Sequence, residues 1–267
     1  QHRPLAFLYG VDLGVWCLAY ATFSLWLLGF PEQAVARSRE AIALAQELTH
    51  PFSLAAVLGY AAQVHVFCRD GQAAKEWAEA ALVLSNEQGF PQHATGGMAC
   101  RGWALAVQGQ GEEGITAIRQ AMAVRRAMRA EVAWPWLLAL LAEVYGSVGQ
   151  PGEGLPLLTE ALATADRTDE RWLEADHYRL QGDFLLVRSG DQHAEAEACF
   201  HKALDIARRQ GAKSLELRAA MSLSRLWQRQ GKRSEARQLL AEIYAWFTEG
   251  FDTADLQDAK VLLEELT

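Results

Sequence analysis

The sequence has few of the features that mark enzymes, secreted scaffolds or membrane proteins. It holds only four cysteines in 267 residues (Cys17, Cys68, Cys100 and Cys199), far apart and with no C-x-x-C pair. That excludes a disulfide-stapled scaffold and suggests buried thiols in a reducing compartment. It has only 7 prolines, and clusters of Val, Ile and Thr are nearly absent beside abundant Ala, Leu, Glu, Gln and Arg. The expectation is an all-α fold. A net charge of −8 argues against wholesale nucleic-acid binding, which depends on neutralising phosphates.

Motifs of catalysis are missing as well. There is no match to G-x-x-x-x-G-K-[ST], and the seven histidines (His2, His50, His65, His93, His177, His193 and His201) form no H-E-x-x-H. His193, Cys199 and His201 are close in sequence, but Cys199 and His201 face apart on a helix, so no metal site is expected. No serine or cysteine carries a nucleophile signature. Neither a cofactor nor an activity is expected for this chain.

One long apolar run raises a membrane question. Leu13 to Phe30 (LGVWCLAYATFSLWLLGF) has eighteen uncharged residues, near the length of a spanning helix. It lacks a basic flank, since Asp12 precedes it and Glu32 follows, and no cationic start or cleavage-type site frames it. The expected reading is a buried helix of a cytoplasmic protein. A helix apolar all round needs cover on both sides, which suggests a fragment of a larger protein.

GQGEEG, Gly109 to Gly114, fits the G-x-G-x-x-G pattern of dinucleotide sites. Its context does not: the preceding CRGWALAVQ reads as helix, and Glu112 and Glu113 would oppose a phosphate. Forty residues on, GQPGEG (Gly149 to Gly154) repeats the shape, as a structural turn would. The repeat runs the whole length. Small residues recur at Ala34, Ala74, Gly114, Gly154, Ala196 and Ala236, and seven residues later at Ala41, Ala81, Ala121, Ala161 and Ala203, with Ile243 last. Turn glycines or prolines precede the first column at Gly29/Pro31, Gly71, Gly109/Gly111, Gly149/Pro151, Gly190 and Gly231. A period of about 40 residues implies stacked helix pairs, A and B, with small residues where helices approach closely. Breakers such as His50-Pro51, Phe90-Pro91 and Gly211 separate successive pairs.

With small residues at these positions and large apolar ones between, as in Leu141-Ala142-x-x-Tyr145, the chain resembles the tetratricopeptide repeat. The longer period is similar to that of repeat regions in bacterial signalling ATPases. The stretches Ala196 to Lys232 and Ala241 to Leu266 resemble the C-terminal end of multidomain bacterial proteins, where a class III nucleotide cyclase or a DNA-binding domain precedes a signal-transduction ATPase and then the repeats. The resemblance implies a right-handed α-solenoid of about six helix pairs, residues 1–267 forming one domain, with residues 252–267 as a C-terminal capping helix. Asp252 or Thr253 should cap that helix, with Ala254, Val261, Leu262 and Leu266 inward and Asp255, Asp258, Glu264 and Glu265 wet.

Carried over to this chain, the tetratricopeptide register points certain helix-A positions at the concave face. In units one to four these include Trp16, Phe23, Trp26, Phe67, Trp103 and Trp136; in units five and six, Asp176, Asp183, Arg218, Arg225 and Arg229, with Arg179 adjoining. The aromatics either pack between repeats or line a groove. From Lys202 to Arg237 ten Lys/Arg face three Asp/Glu, a local +7, so the rest of the chain carries −15 (−8 minus 7). The expected function is a non-catalytic interaction or sensor module that binds a protein or peptide partner, acidic in character, or a segment of its own parent. Nucleic acid and membrane are not expected partners. The alternative is an inducer-type small molecule regulating an upstream ATPase or cyclase.

Overall fold

The computed structural model describes residues 10–188 and 192–267; Gly190 and His2 lie outside the described residues. Among the described residues there are thirteen helices and no strand. In chain order they are α1 (Leu13–Leu27), α2 (Pro31–Glu47), α3 (Pro51–Phe67), α4 (Gly71–Gln88), α5 (Pro91–Val107), α6 (Gly111–Ala127) and α7 (Trp134–Ser147). There follow α8 (Pro151–Thr168), α9 (Glu174–Arg188), α10 (His193–Gln210), α11 (Lys213–Arg229), α12 (Arg233–Tyr244) and α13 (Ala254–Glu265). The chain divides into two compact units, one of Gln1–Trp26 with Pro31–Val132, the other of Leu27–Phe30 with Ala133–Thr267.

The turns explain why helices start where they do. Pro51, Pro91 and Pro151 each stand in the first helical turn, where a missing N–H costs nothing. Gly71 and Gly111 are the first residues of α4 and α6 rather than the turn itself. The left-handed position falls two residues earlier, on Arg69 (φ 60°) and Gly109 (φ 88°). Asp70 then caps α4 by accepting the Ala73 N–H at 3.0 Å. GQGEEG is therefore the end of one inter-helix turn, Gly109 and Gln110, followed by the first turn of α6.

In the first unit the small columns sit where helices cross. Ala34, Ala74, Ala81 and Ala121 are completely buried, and Ala41 nearly so. The closest approach is α5 against α6: a Cβ on Gly114 would lie 2.4 Å from the Gly102 carbonyl oxygen. α1 buries Val15, Ala19, Thr22 and Trp26, while Leu13 and Tyr20 stay exposed. No helix among the described residues is long and apolar enough to cross a membrane. Of the four thiols only Cys100 is buried, and Cys17 is exposed, contrary to the expectation of uniform burial.

In the second unit phenyl rings take up the room that glycines leave. The Phe184 ring fills the space beside Gly146 and Gly154, and the Phe200 ring the space beside Gly182. α13 closes on α11 and α12 through Leu256, Ala259, Leu262 and Leu266. Thr253 does stand at its N-cap, but its hydroxyl donates to the Gly250 carbonyl at 2.6 Å instead of capping. Two of the expected orientations are reversed: Asp255 is buried and Val261 is 52% exposed. The reversal has a cause on the neighbouring helix, where Arg218 lies 2.7 Å from the Asp255 carboxylate.

Candidate functional site

In the first unit the helix-A faces of α1 and α3 carry a run of rings in contact. Trp16 and Tyr60 have centroids 5.3 Å apart, Phe23 and Tyr60 5.3 Å edge-on, and Tyr20 joins both Trp16 (6.0 Å) and Tyr60 (6.4 Å). These edge and tilted geometries are the favourable ones for aromatic pairs. Deeper along α1, Trp26 stacks on Phe67 at 4.8 Å. The expected set divides accordingly. Trp26, Phe67 and Trp103 in this unit are buried in the interior, whereas Trp16 and Phe23 are half-buried. Tyr20 is 61% exposed and tops the run. Tyr20 and Tyr60 were not singled out from the sequence, although they stand exactly one period of 40 apart.

A buried guanidinium lies in the same unit. Arg125 of α6 donates from Nε to the Thr95 hydroxyl at 2.9 Å and from its terminal nitrogen to the Val132 carbonyl. Its charge is felt by Tyr60, His93 and Cys100. Burial raises the Tyr60 phenol well above its ordinary value, and Tyr20 adds to this while Arg125 opposes it. Burial likewise takes the Cys100 thiol to about 12 against the pull of Arg125. Such a thiol is inert at neutral pH.

In the second unit, the positions expected to clamp a partner clamp one another. Arg179 binds Asp176 at 2.7 Å and Asp183 at 2.9 Å, both on its own helix α9. Arg218 of α11 binds Asp255 of α13 at 2.7 Å and lies 4.0 Å from Asp176. The Ser222 hydroxyl donates to Asp183 at 3.2 Å. Burial works to raise the Asp176 carboxyl, but Arg179 and Arg218 together hold it below its ordinary value. At Asp183 burial prevails over Arg179 and the carboxyl is raised. Trp136 is buried, so it belongs to the packed interior of this unit. Arg225 and Arg229 are exposed at the far end of α11. Among the described residues no group of His, Cys, Asp and Glu has metal-binding arrangement.

His177, next to Asp176, is 1% exposed, and neither ring nitrogen has a hydrogen-bond partner. Burial lowers it to about 4, with Asp176 pulling weakly the other way. A histidine whose folded value is depressed adds stability that is complete above its ordinary value of about 6.5 and erodes as pH falls towards the folded value. His93, also about 4 through burial and Arg125, acts in the same direction. The melting temperature of the wild type should therefore fall between pH 7.5 and 5. His177→Leu, which leaves no buried imidazole to charge, should show a shallower fall, by roughly 1–2 kcal/mol at pH 5. Parallel pH profiles for the two proteins would remove His177 from this account.

No family model matches the chain. An uncharacterized protein of Rhizobium meliloti (strain 1021) is 26% identical over 218 residues, which cover 81% of this chain and 21% of that protein. The chain thus spans about a fifth of the length of this curated relative. Among solved structures, NprR in complex with its cognate peptide NprX is similar with a TM-score of 0.67 at 16% identity, over 94% of this chain and 71% of that one. A Rap protein complexed with competence and sporulation factor gives 0.61 at 12%, over 94% and 73%. A signal-transduction ATPase with numerous domains and a tetratricopeptide repeat sensor, from Pyrococcus horikoshii, gives 0.54 at 13%, over 94% and 38%. At these identities the likeness establishes the fold: an all-helical solenoid of the tetratricopeptide-like kind.

Proposed function

We propose that the chain is a non-catalytic peptide-binding module, and that an apolar stretch of peptide rests on the Trp16–Tyr20–Phe23–Tyr60 face of the first unit. The observation that carries this reading is the partial exposure of four touching aromatic side chains on helix-A positions, with Tyr20 at 61%. Aromatic rings of this kind supply contact area at low entropic cost, and Trp and Tyr are enriched among the few interface residues whose truncation costs ~2 kcal/mol or more. The complex of NprR with its cognate peptide NprX, which shares the fold, supports the same reading, as does that of Rap with competence and sporulation factor. The small share of the Rhizobium relative that the chain covers, and the repeat sensor of the Pyrococcus ATPase, support a place as the sensor segment of a larger cytoplasmic signalling protein.

A random twelve-residue peptide library displayed on phage and selected against the chain supplies ligands for the test. Tyr20→Ser with Trp16→Ala should weaken the selected peptides at least tenfold, equivalent to about 1.4 kcal/mol, with helical content unchanged. Undiminished binding by this double variant would overturn the location, and a library that yields no specific binder would overturn the function.

A further inference from the structure

The corner where α11 turns into α12 holds an excess of positive charge that the rest of the second unit leaves uncompensated. Of the five cations of the basic stretch that precede Arg225, four have partners. Arg208 and Lys213 share Glu216 at 2.8 and 2.7 Å, Arg218 takes Asp255, and Lys202 lies over the Tyr178 ring at 4.0 Å. The last thirteen residues behave differently. Between positions 225 and 237 there are five Lys/Arg (Arg225, Arg229, Lys232, Arg233 and Arg237) and one acid, Glu235. Lys232 reaches Glu197 at 3.8 Å. Arg225, Arg229, Arg233 and Arg237 are all exposed, and none makes a hydrogen bond or ion pair among the described residues. The charge of Arg225 does reach Asp183, the outermost carboxylate of the buried network.

The spacing makes this costly. Arg225 and Arg229 are four residues apart on α11, and Arg233 and Arg237 four apart on α12, so each pair is a like-charge neighbour on its helix surface. Arg233 also opens its helix, where a cation opposes the dipole. Only Gln230, Gly231 (φ 81°) and Lys232 separate the two helices, which brings all four guanidinium groups within one or two turns of a single corner. In a chain with 33 acidic and 25 basic residues, carboxylates to offset them are plentiful, yet the corner holds only Glu235, and Glu197 is taken by Lys232.

We propose that this corner is a docking surface for an acidic peptide segment, whose carboxylates pair with Arg225, Arg229, Arg233 and Arg237. It rests on the peptide-binding reading above but uses a separate surface. Guanidinium groups bind carboxylates bidentately, and four of them match a run of glutamates or aspartates. The corner carries +4 (five Lys/Arg less Glu235), so the remainder of the chain carries −12 (−8 minus 4), which opposes a long polyanion more than a short one.

The test uses the full chain and a fluorescein-labelled twelve-residue peptide of alternating Glu and Ser, read by anisotropy at 50 and 500 mM NaCl. Binding is expected at low salt and should fall at least tenfold at high salt. Arg225→Gln with Arg229→Gln, and Arg233→Gln with Arg237→Gln, should each weaken it at least fivefold. Arg37→Gln with Arg39→Gln, an equal change of net charge on α2, should change it less than twofold. The corner variants should melt at or slightly above the wild-type temperature, since each relieves a like-charge pair. Equal affinities for corner and control variants, or no binding of the acidic peptide at all, would overturn the proposal. Tighter binding of a single-stranded oligonucleotide of matched charge would overturn it in favour of nucleic acid. Library-selected peptides that bind the corner variants normally would leave the peptide-binding function standing while this surface falls.

Discussion

Gly114→Ala is expected to lower stability by about 1–3 kcal/mol, although alanine is the better helix former by about 1 kcal/mol. The new methyl would stand 2.4 Å from the Gly102 carbonyl oxygen and 3.0 Å from the Ala106 Cβ. A backbone atom cannot rotate away, so α5 and α6 must separate, and the overpacking outweighs the gain in propensity. Gly114→Leu should go further and cost more than about 4 kcal/mol, at the severe end for point substitutions. Gly96→Ala is the control on the same helix pair, because nothing lies within 4 Å of its added Cβ. It should stabilise by about 0.5–1 kcal/mol. Urea unfolding of the three variants measures the difference. A Gly114→Ala protein at least as stable as the Gly96→Ala one would show that the helices do not approach as described.

Arg218→Ala should cost on the order of 3–5 kcal/mol, the usual range for removing one partner of a buried pair. Asp255, 12% exposed at its side chain, would lose the group it binds at 2.7 Å, and Asp176 would lose one of the two guanidiniums that hold its carboxyl low. The loss falls on α13, which that contact ties to α11, so proteolysis of the C-terminal helix should accelerate before the remainder yields. Acidification has a defined sign here. Asp176 is depressed in the fold, so its contribution is complete above the ordinary carboxylate range of about 4 and disappears as pH falls through its lower folded value. Arg218→Met combined with Asp255→Leu should recover much of the loss, because Asp255 no longer leaves a stranded charge and Asp176 keeps Arg179 at 2.7 Å. An Arg218→Ala protein with wild-type stability and proteolysis would show that the ion pair contributes nothing net.

The repeat was legible because close helix crossings tolerate only small side chains, and that requirement writes itself into composition at a fixed period. Ala34, Ala74, Ala196 and Ala236 are completely buried, as their column required. The cap was legible in extent but not in register. Its apolar positions fit more than one orientation, and Asp255 turns inward only because Arg218, 37 residues earlier, waits there. The same limit applied to the arginine column. Spacing placed Arg218, Arg225 and Arg229 on one helix, but whether each is committed depends on carboxylates supplied by α9 and α13. Tyr20 and Tyr60 were within reach of the repeat itself, since equal positions in consecutive units lie side by side.

The helices within each unit pack mainly on the next one along or the next but one. Closing such neighbours takes microseconds to milliseconds. A ribosome adding 5–20 residues per second needs roughly 2–8 s to make one forty-residue pair. Each pair therefore has time to close on itself before its successor exists, but has no neighbour to cover its outer face. The crevice at Gly146 and Gly154 illustrates the consequence, because the ring that fills it belongs to Phe184, made 30 residues after Gly154. For a second or more during synthesis that seam lies open to water and to other nascent chains. The growing end of the array, rather than any finished part of it, is where this protein is most exposed to aggregation.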